Sequence, residues 1–194
     1  GKFIATFLKH EKLKYAIEDL LYQRDGLALG ICNGFQALIK LGLLPYGEIR
    51  DVDENAPTLT FNAIGRHQSA YVKTRIASVH SPWLRIVEVG EIHTIPISHG
   101  EGRFVCNDEV LQTLIENGQI ATQYVNDDGQ ASMSIRHNPN ASRLAVEGLT
   151  SKDGRILGKM GHSERVGNFV AKNIYGNKKQ HLFESGVSYF TGEE

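Results

Sequence analysis

Along residues 2–23, Ile4, Phe7, Leu8, Leu13, Ile17, Leu20 and Leu21 recur at helical spacing with charged residues between them. The pattern predicts one helix interrupted near His10, or two short ones. After the turn Arg24-Asp25-Gly26, residues 27–31 form an uninterrupted apolar run. Such a run suits a strand buried on both faces of a parallel sheet. A second helix is expected from about Asn33 to Leu41, closed by Gly42 and Pro45. Beyond it the chain turns to β-branched and aromatic residues bounded by glycines or polar clusters, predicting strands over 58–62, 70–79, 93–98 and 121–125. Residues 108–117 read as a short helix with Val110, Leu111, Leu114 and Ile115 inward and Gly118 at its end. Residues 126–129 and 138–140 are turn signals, and 146–149 with 155–160 read as a hairpin around Asp153-Gly154. Residues 166–194 carry apolar helical spacing at first and then a tail with Gly and Lys. Strands and helices mixed in this way predict an α/β fold.

The junction of the first strand and second helix reads Gly30-Ile31-Cys32-Asn33-Gly34-Phe35-Gln36. A cysteine between two glycines at a strand-to-helix junction is the thiol version of a nucleophile elbow. A side chain projecting from so tight a turn needs neighbours without Cβ to relieve crowding. The same turn aims the first N–H groups of the helix at the sulfur, favouring thiolate over thiol. The N–H of Asn33 would also be a donor for an oxyanion. Most free cysteines are inert core residues, and Cys106, after Gly102-Arg103-Phe104-Val105, is expected to be one.

A nucleophilic thiol needs a base, and the base needs orienting. Gly161-His162-Ser163-Glu164-Arg165 offers both at the end of an apolar strand. In an extended segment His162 and Glu164 point to the same side, so one can approach the thiol while the other holds the far ring nitrogen. Taken alone, a His-x-Glu pair is more often solvated surface. The remaining histidines show no metal-ligand spacing. Ser98-His99-Gly100-Glu101-Gly102-Arg103 reads as a Gly-rich loop that could line a pocket or simply turn the chain.

Composition narrows the picture without deciding it. Lysine plus arginine (21) nearly balance aspartate plus glutamate (22), so charge gives no reason to expect a nucleic acid or an anionic membrane as partner. Two cysteines far apart fit a reducing, cytoplasmic setting better than a disulfide framework.

Taken together, these motifs resemble the class I (triad) glutamine amidotransferases, and within them the C-terminal glutaminase domain of phosphoribosylformylglycinamidine synthases. Residues 30–36 match the nucleophile motif, with Gly42-Leu43-Leu44-Pro45 following; residues 96–104 resemble a second characteristic segment and 158–165 a third. The resemblance implies a three-layer, flavodoxin-like fold with a mostly parallel central sheet. It implies Cys32 as nucleophile, His162 as acid/base and Glu164 as its orienter, with Gln36, Asn33, Gly34, His99 and Gly100 near the substrate, L-glutamine. No metal or cofactor is expected in this chain; ATP and Mg²⁺ belong to a synthetase domain of the same long chain, which receives ammonia to make formylglycinamidine ribonucleotide, a ligase reaction.

The family's domain begins with a strand–helix–strand segment and a Gly-Gly loop that supplies a second oxyanion donor, and this sequence starts after them. It is therefore expected to be a fragment, residues 1–194 of a longer synthetase, and a poor glutaminase alone. Two other readings stay open on the residues: a different cysteine-elbow hydrolase, and a non-catalytic glutaminase-like docking module.

Overall fold

The computed structural model describes residues 1–192. Two short helices, α1 (Lys2–Leu8) and α2 (Glu11–Glu18), open the chain, with the break at His10, whose backbone is extended. A π-turn over Asp19–Gln23 leads to β1 (Ala28–Ile31), α3 (Asn33–Leu41) and the short turn α4 (Leu43–Tyr46). Then come β2 (Thr58–Phe61), β3 (Gln68–Ile76), β4 (Ile92–His99), β5 (Glu101–Val105), α5 (Asp108–Glu116), β6 (Ile120–Tyr124), β7 (Val146–Thr150), β8 (Ile156–Lys159) and α6 (Leu182–Thr191).

Six strands form one sheet in the order β1-β8-β7-β6-β3-β4, and β2 pairs with β5 in a separate ribbon. Only β1 and β8 run parallel; the other four pairings are antiparallel. The α/β class holds, but the expectation of a mostly parallel sheet does not describe these strands. The reason lies in the connections. The β7–β8 link through Asp153-Gly154 is too short for a crossover, so the strands fold back on each other.

The sheet is covered on both faces. Along β8, Ile156 belongs to the apolar cluster built with Phe35, Leu38, Leu41, Leu44 and Leu149, whereas its neighbour Leu157 packs with Ile76, Leu84, Ala121 and Leu182. Successive residues of a strand point to opposite faces, so α3 lies on one side and α6, with the turn at Pro82–Leu84, on the other. This gives the three layers. Among the described residues no helix is long and apolar enough to cross a membrane.

Two glycines set how close α3 comes to the sheet. Gly30 and Gly158 are register partners across β1 and β8. A Cβ on Gly158 would lie 2.2 Å from Phe35 Cδ2, and one on Gly30 would lie 2.8 Å from the Gly34 carbonyl carbon. Any larger residue at either place would push the helix, and with it the elbow, off the sheet.

Four further expectations differ from the structure. The segment 98–103 is not a loop: β4 ends at His99, Gly100 makes the corner, and β5 begins at Glu101 to pair with β2. The strand expected over 70–79 runs from Gln68 to Ile76. In α5, Leu114 is buried and Val110 and Leu111 pack against the core, but Ile115 is 47% exposed, because it falls outside the stripe that they define. The C-terminal helix comes late, at Leu182–Thr191, rather than straight after 166. Gly167-Asn168 and Gly176-Asn177 break residues 166–178 into turns, while Gly186 lets α6 settle against the Trp83 ring.

Candidate active site

Cys32 sits one residue past β1 and caps α3, with φ 52° and ψ −104°. A positive φ at a residue with a side chain is a strained conformation, held here by what surrounds it. The Cys32 N–H donates to the Lys159 carbonyl at 2.8 Å, extending the β1–β8 ladder by one bond, and its carbonyl accepts the first intrahelical bond from Gln36 N at 3.1 Å. Thus the backbone is pinned on both sides while the half-buried thiol is thrown outward. The thiol donates to the Ser98 carbonyl at 3.6 Å. Burial pushes its pKa up from the ordinary thiol value; the Asn33 N–H and the Arg165 charge pull in the opposite direction. The net upward shift favours the thiol form, so a nucleophilic role for this group requires a base.

A candidate base stands at the end of the neighbouring strand. Because β1 and β8 are parallel, with Ile31 opposite Lys159, the chain leaves both at the same end. Three residues beyond Lys159 comes His162, its N–H bonded to the Pro96 carbonyl at 2.8 Å. Residues 161–165 form a tight turn rather than the extended segment expected, closed by Arg165 N to the His162 carbonyl at 3.1 Å. The turn still brings the pair together: His162 Nδ1 and Glu164 Oε1 are 2.7 Å apart. With a carboxylate as acceptor, Nδ1 carries the proton and Nε2 presents a lone pair. Nε2 is buried and has no hydrogen-bond partner among the described residues. An unpaired buried acceptor is costly unless something is meant to occupy it.

The other expected residues are arranged around this centre in different ways. Asn33 is exposed at the helix start, and Gly34 has open space where a Cβ would be. Gln36 is buried and donates from Nε2 to the Glu101 carbonyl at 2.5 Å, tying α3 to the start of β5. Gly100 is the half-buried corner between β4 and β5. His99 lies beneath the surface, 3% exposed, with Nδ1 3.1 Å from Asn62 Oδ1; the Asn62 amide also donates to the His99 carbonyl at 2.8 Å. Burial lowers the His99 pKa to about 4, so its ring is neutral at physiological pH. Cys106 packs into the apolar core, as expected.

Sequence reasoning missed a buried polar cluster under the His162 turn. Glu147 of β7 and Lys159 of β8 are both fully buried and 3.3 Å apart. Glu147 accepts from Gly161 N and from Thr122 Oγ1, each at 2.5 Å. The signal was present: a carboxylate and an ammonium inside two otherwise apolar strands are almost never buried unless paired. Among the described residues, no group of three His, Cys, Asp or Glu side chains is placed to hold a metal ion.

Residues 1–190 match the family model described as the CobB/CobQ-like glutamine amidotransferase domain. The chain is 35% identical over 166 residues to phosphoribosylformylglycinamidine synthase subunit PurQ of Gloeobacter violaceus, covering 86% of this chain and 65% of the relative. It is 33% identical over 169 residues to the same subunit of Symbiobacterium thermophilum, covering 87% and 65%. It therefore spans just under two thirds of the length of these relatives. Among solved structures, PurLQS from Thermotoga maritima superposes with a TM-score of 0.68 at 28% identity, over 96% of this chain and 71% of that one. An elbow cysteine, a histidine–glutamate pair leaving the adjacent parallel strand at the same end and a match over nearly all of its length lead to one conclusion: the chain belongs to the CobB/CobQ-like glutamine amidotransferase domain family.

Proposed function

We propose that this chain is the glutaminase domain, residues 1–194, of a longer phosphoribosylformylglycinamidine synthase, hydrolysing glutamine to glutamate and ammonia. The observation that carries the reading is the shared end of two parallel strands, where Cys32 leaves β1 at a strained elbow and His162 leaves β8 with Nδ1 held by Glu164.

The reaction follows from those groups. Nε2 of His162 takes the Cys32 proton, and the thiolate attacks the side-chain carbonyl of glutamine. The Asn33 N–H at the start of α3 stabilises the oxyanion. His162, now an imidazolium steadied by Glu164, returns the proton to the departing ammonia, leaving a γ-glutamyl thioester on Cys32. Water activated by the same Nε2 then releases glutamate. Open space at Gly34 leaves room for the substrate at the start of α3, beside Gln36, which ties that helix to the start of β5. This chemistry needs no cofactor in the chain. The ammonia would pass to the synthetase domain of the same protein, where ATP and Mg²⁺ drive formation of the amidine in the cytoplasm. The names of the PurQ relatives support that assignment.

A diazo-ketone analogue of glutamine tests the reading. Incubated with the complete enzyme, it should alkylate Cys32 and spare Cys106, and excess glutamine should slow the labelling. Peptide mass spectrometry finding both cysteines labelled alike, or Cys32 unlabelled, would remove the assignment of the nucleophile.

A further inference from the structure

The His162 turn rests on a buried ion pair that the chemistry just described does not use. Lys159 Nζ donates to the Gly161 carbonyl at 3.0 Å and to Ser163 Oγ at 2.9 Å, while Glu147 Oε1 accepts the Gly161 N–H at 2.5 Å. Both backbone polar groups of Gly161 and the side chain of Ser163 are therefore held by the pair, one on each side of His162. The outer partners are held in turn: Thr122 Oγ1 donates to Glu147 Oε2 at 2.5 Å, and Ser163 Oγ donates to Gln180 Oε1 at 2.6 Å. The packing is close enough that a Cβ on Gly161 would stand 3.0 Å from Glu147 Oε1 and 3.2 Å from Lys159 Nζ.

We propose that Glu147 and Lys159 are positioning residues for His162, fixing the backbone on both sides of it so that Nε2 faces Cys32. The physical case rests on what such a pair is good for. Two charges moved out of water regain little net stability over apolar residues of the same size, so a buried pair is poor evidence of stabilisation. What it does supply is direction: each bond to Gly161 and Ser163 has a preferred geometry, whereas apolar packing would let the turn slide. A five-residue turn that begins at a glycine needs that constraint if an imidazole is to meet a thiol within a few tenths of an ångström.

The inference rests on the proposed role of His162, and its test separates the two. In the complete enzyme, the double variant Glu147→Leu/Lys159→Met removes both charges at similar volume. Glutamine-driven kcat should fall roughly 10- to 100-fold, as expected for an ångström-scale misplacement. The KM for glutamine should stay within about threefold and ammonia-driven turnover should be unchanged, since neither substrate binding nor the synthetase is touched. Full glutamine-driven kcat in this variant would overturn the proposal, because apolar filling would then position His162 equally well. Should the double variant fail to fold, Ser163→Ala removes only one anchor of Lys159 and is expected to show the same split of kcat from KM, in smaller measure; an unchanged kcat there would likewise overturn it. His162→Ala is the control. Retained glutamine turnover in His162→Ala would defeat the functional reading itself, whereas its loss beside a fully active double variant would defeat only the positioning claim.

Discussion

Replacing Cys32 by alanine in the complete enzyme should lower glutamine-driven turnover by roughly 10⁴-fold or more, while ammonia-driven turnover stays at the wild-type level. The size follows from what the side chain does. Without sulfur no thioester can form, and the Asn33 N–H and the His162–Glu164 pair are left to assist water alone. The sparing of the ammonia reaction follows from where the residue sits. Cys32 is half-buried at the end of β1, it donates only a weak bond to the Ser98 carbonyl, and its backbone contacts to Lys159 and Gln36 survive the substitution. Alanine also keeps the same strained φ, so the elbow gains no new freedom. Side-by-side assays with glutamine and with ammonium salt check the expectation. Equal losses in both would mean that the substitution damages the fold, and no loss in either would mean that the thiol takes no part.

The largest effect on stability is expected at Lys159. Changing it alone to methionine keeps its length but leaves the Glu147 carboxylate buried with no countercharge. Breaking one side of such a pair costs about 3–5 kcal/mol. Its exposure leaves no room for rescue by water, since both side chains are wholly inaccessible. Burial already pushes the Lys159 pKa down and the Glu147 carboxylate pulls it back up, so the ammonium depends on its partner. Denaturant unfolding followed by tryptophan fluorescence reads the change directly, Trp83 lying against α6. A loss well under 1 kcal/mol would mean that the two groups exchange a proton and lie there as a neutral pair.

The parts of the fold legible in the sequence are those where a local pattern and the tertiary environment agree. The five-residue apolar run before Cys32 becomes β1 because it is covered on both faces, and α3 starts and stops where its glycines say. The elbow was legible for the same reason: strand, paired glycines and helix coincide in seven residues. Long-range partners were not. Nothing near Glu101 shows that β5 will pair with β2, forty residues earlier in the chain, so Gly-rich composition suggested a loop. The balance of parallel and antiparallel strands depends on sheet order, which no local window contains. The His162–Glu164 pair was found although its backbone is a turn rather than a strand, because a two-residue spacing brings side chains together in either. Glu147 and Lys159 were passed over because neither was singled out within the hairpin expected over 146–160; their approach to 3.3 Å depends on the register of β7 against β8, which spacing along the chain does not contain.

Glutamine turnover by this site requires a covalent bond between glutamine and Cys32, and acid quenching of the enzyme during glutamine turnover tests that bond most directly. With water activation slowed by Glu164→Gln, the peptide spanning residue 32 should carry a γ-glutamyl group, sensitive to hydroxylamine and absent when glutamine is omitted. A quenched enzyme that turns over glutamine but shows an unmodified Cys32 peptide, or an acyl group on another residue, would contradict it.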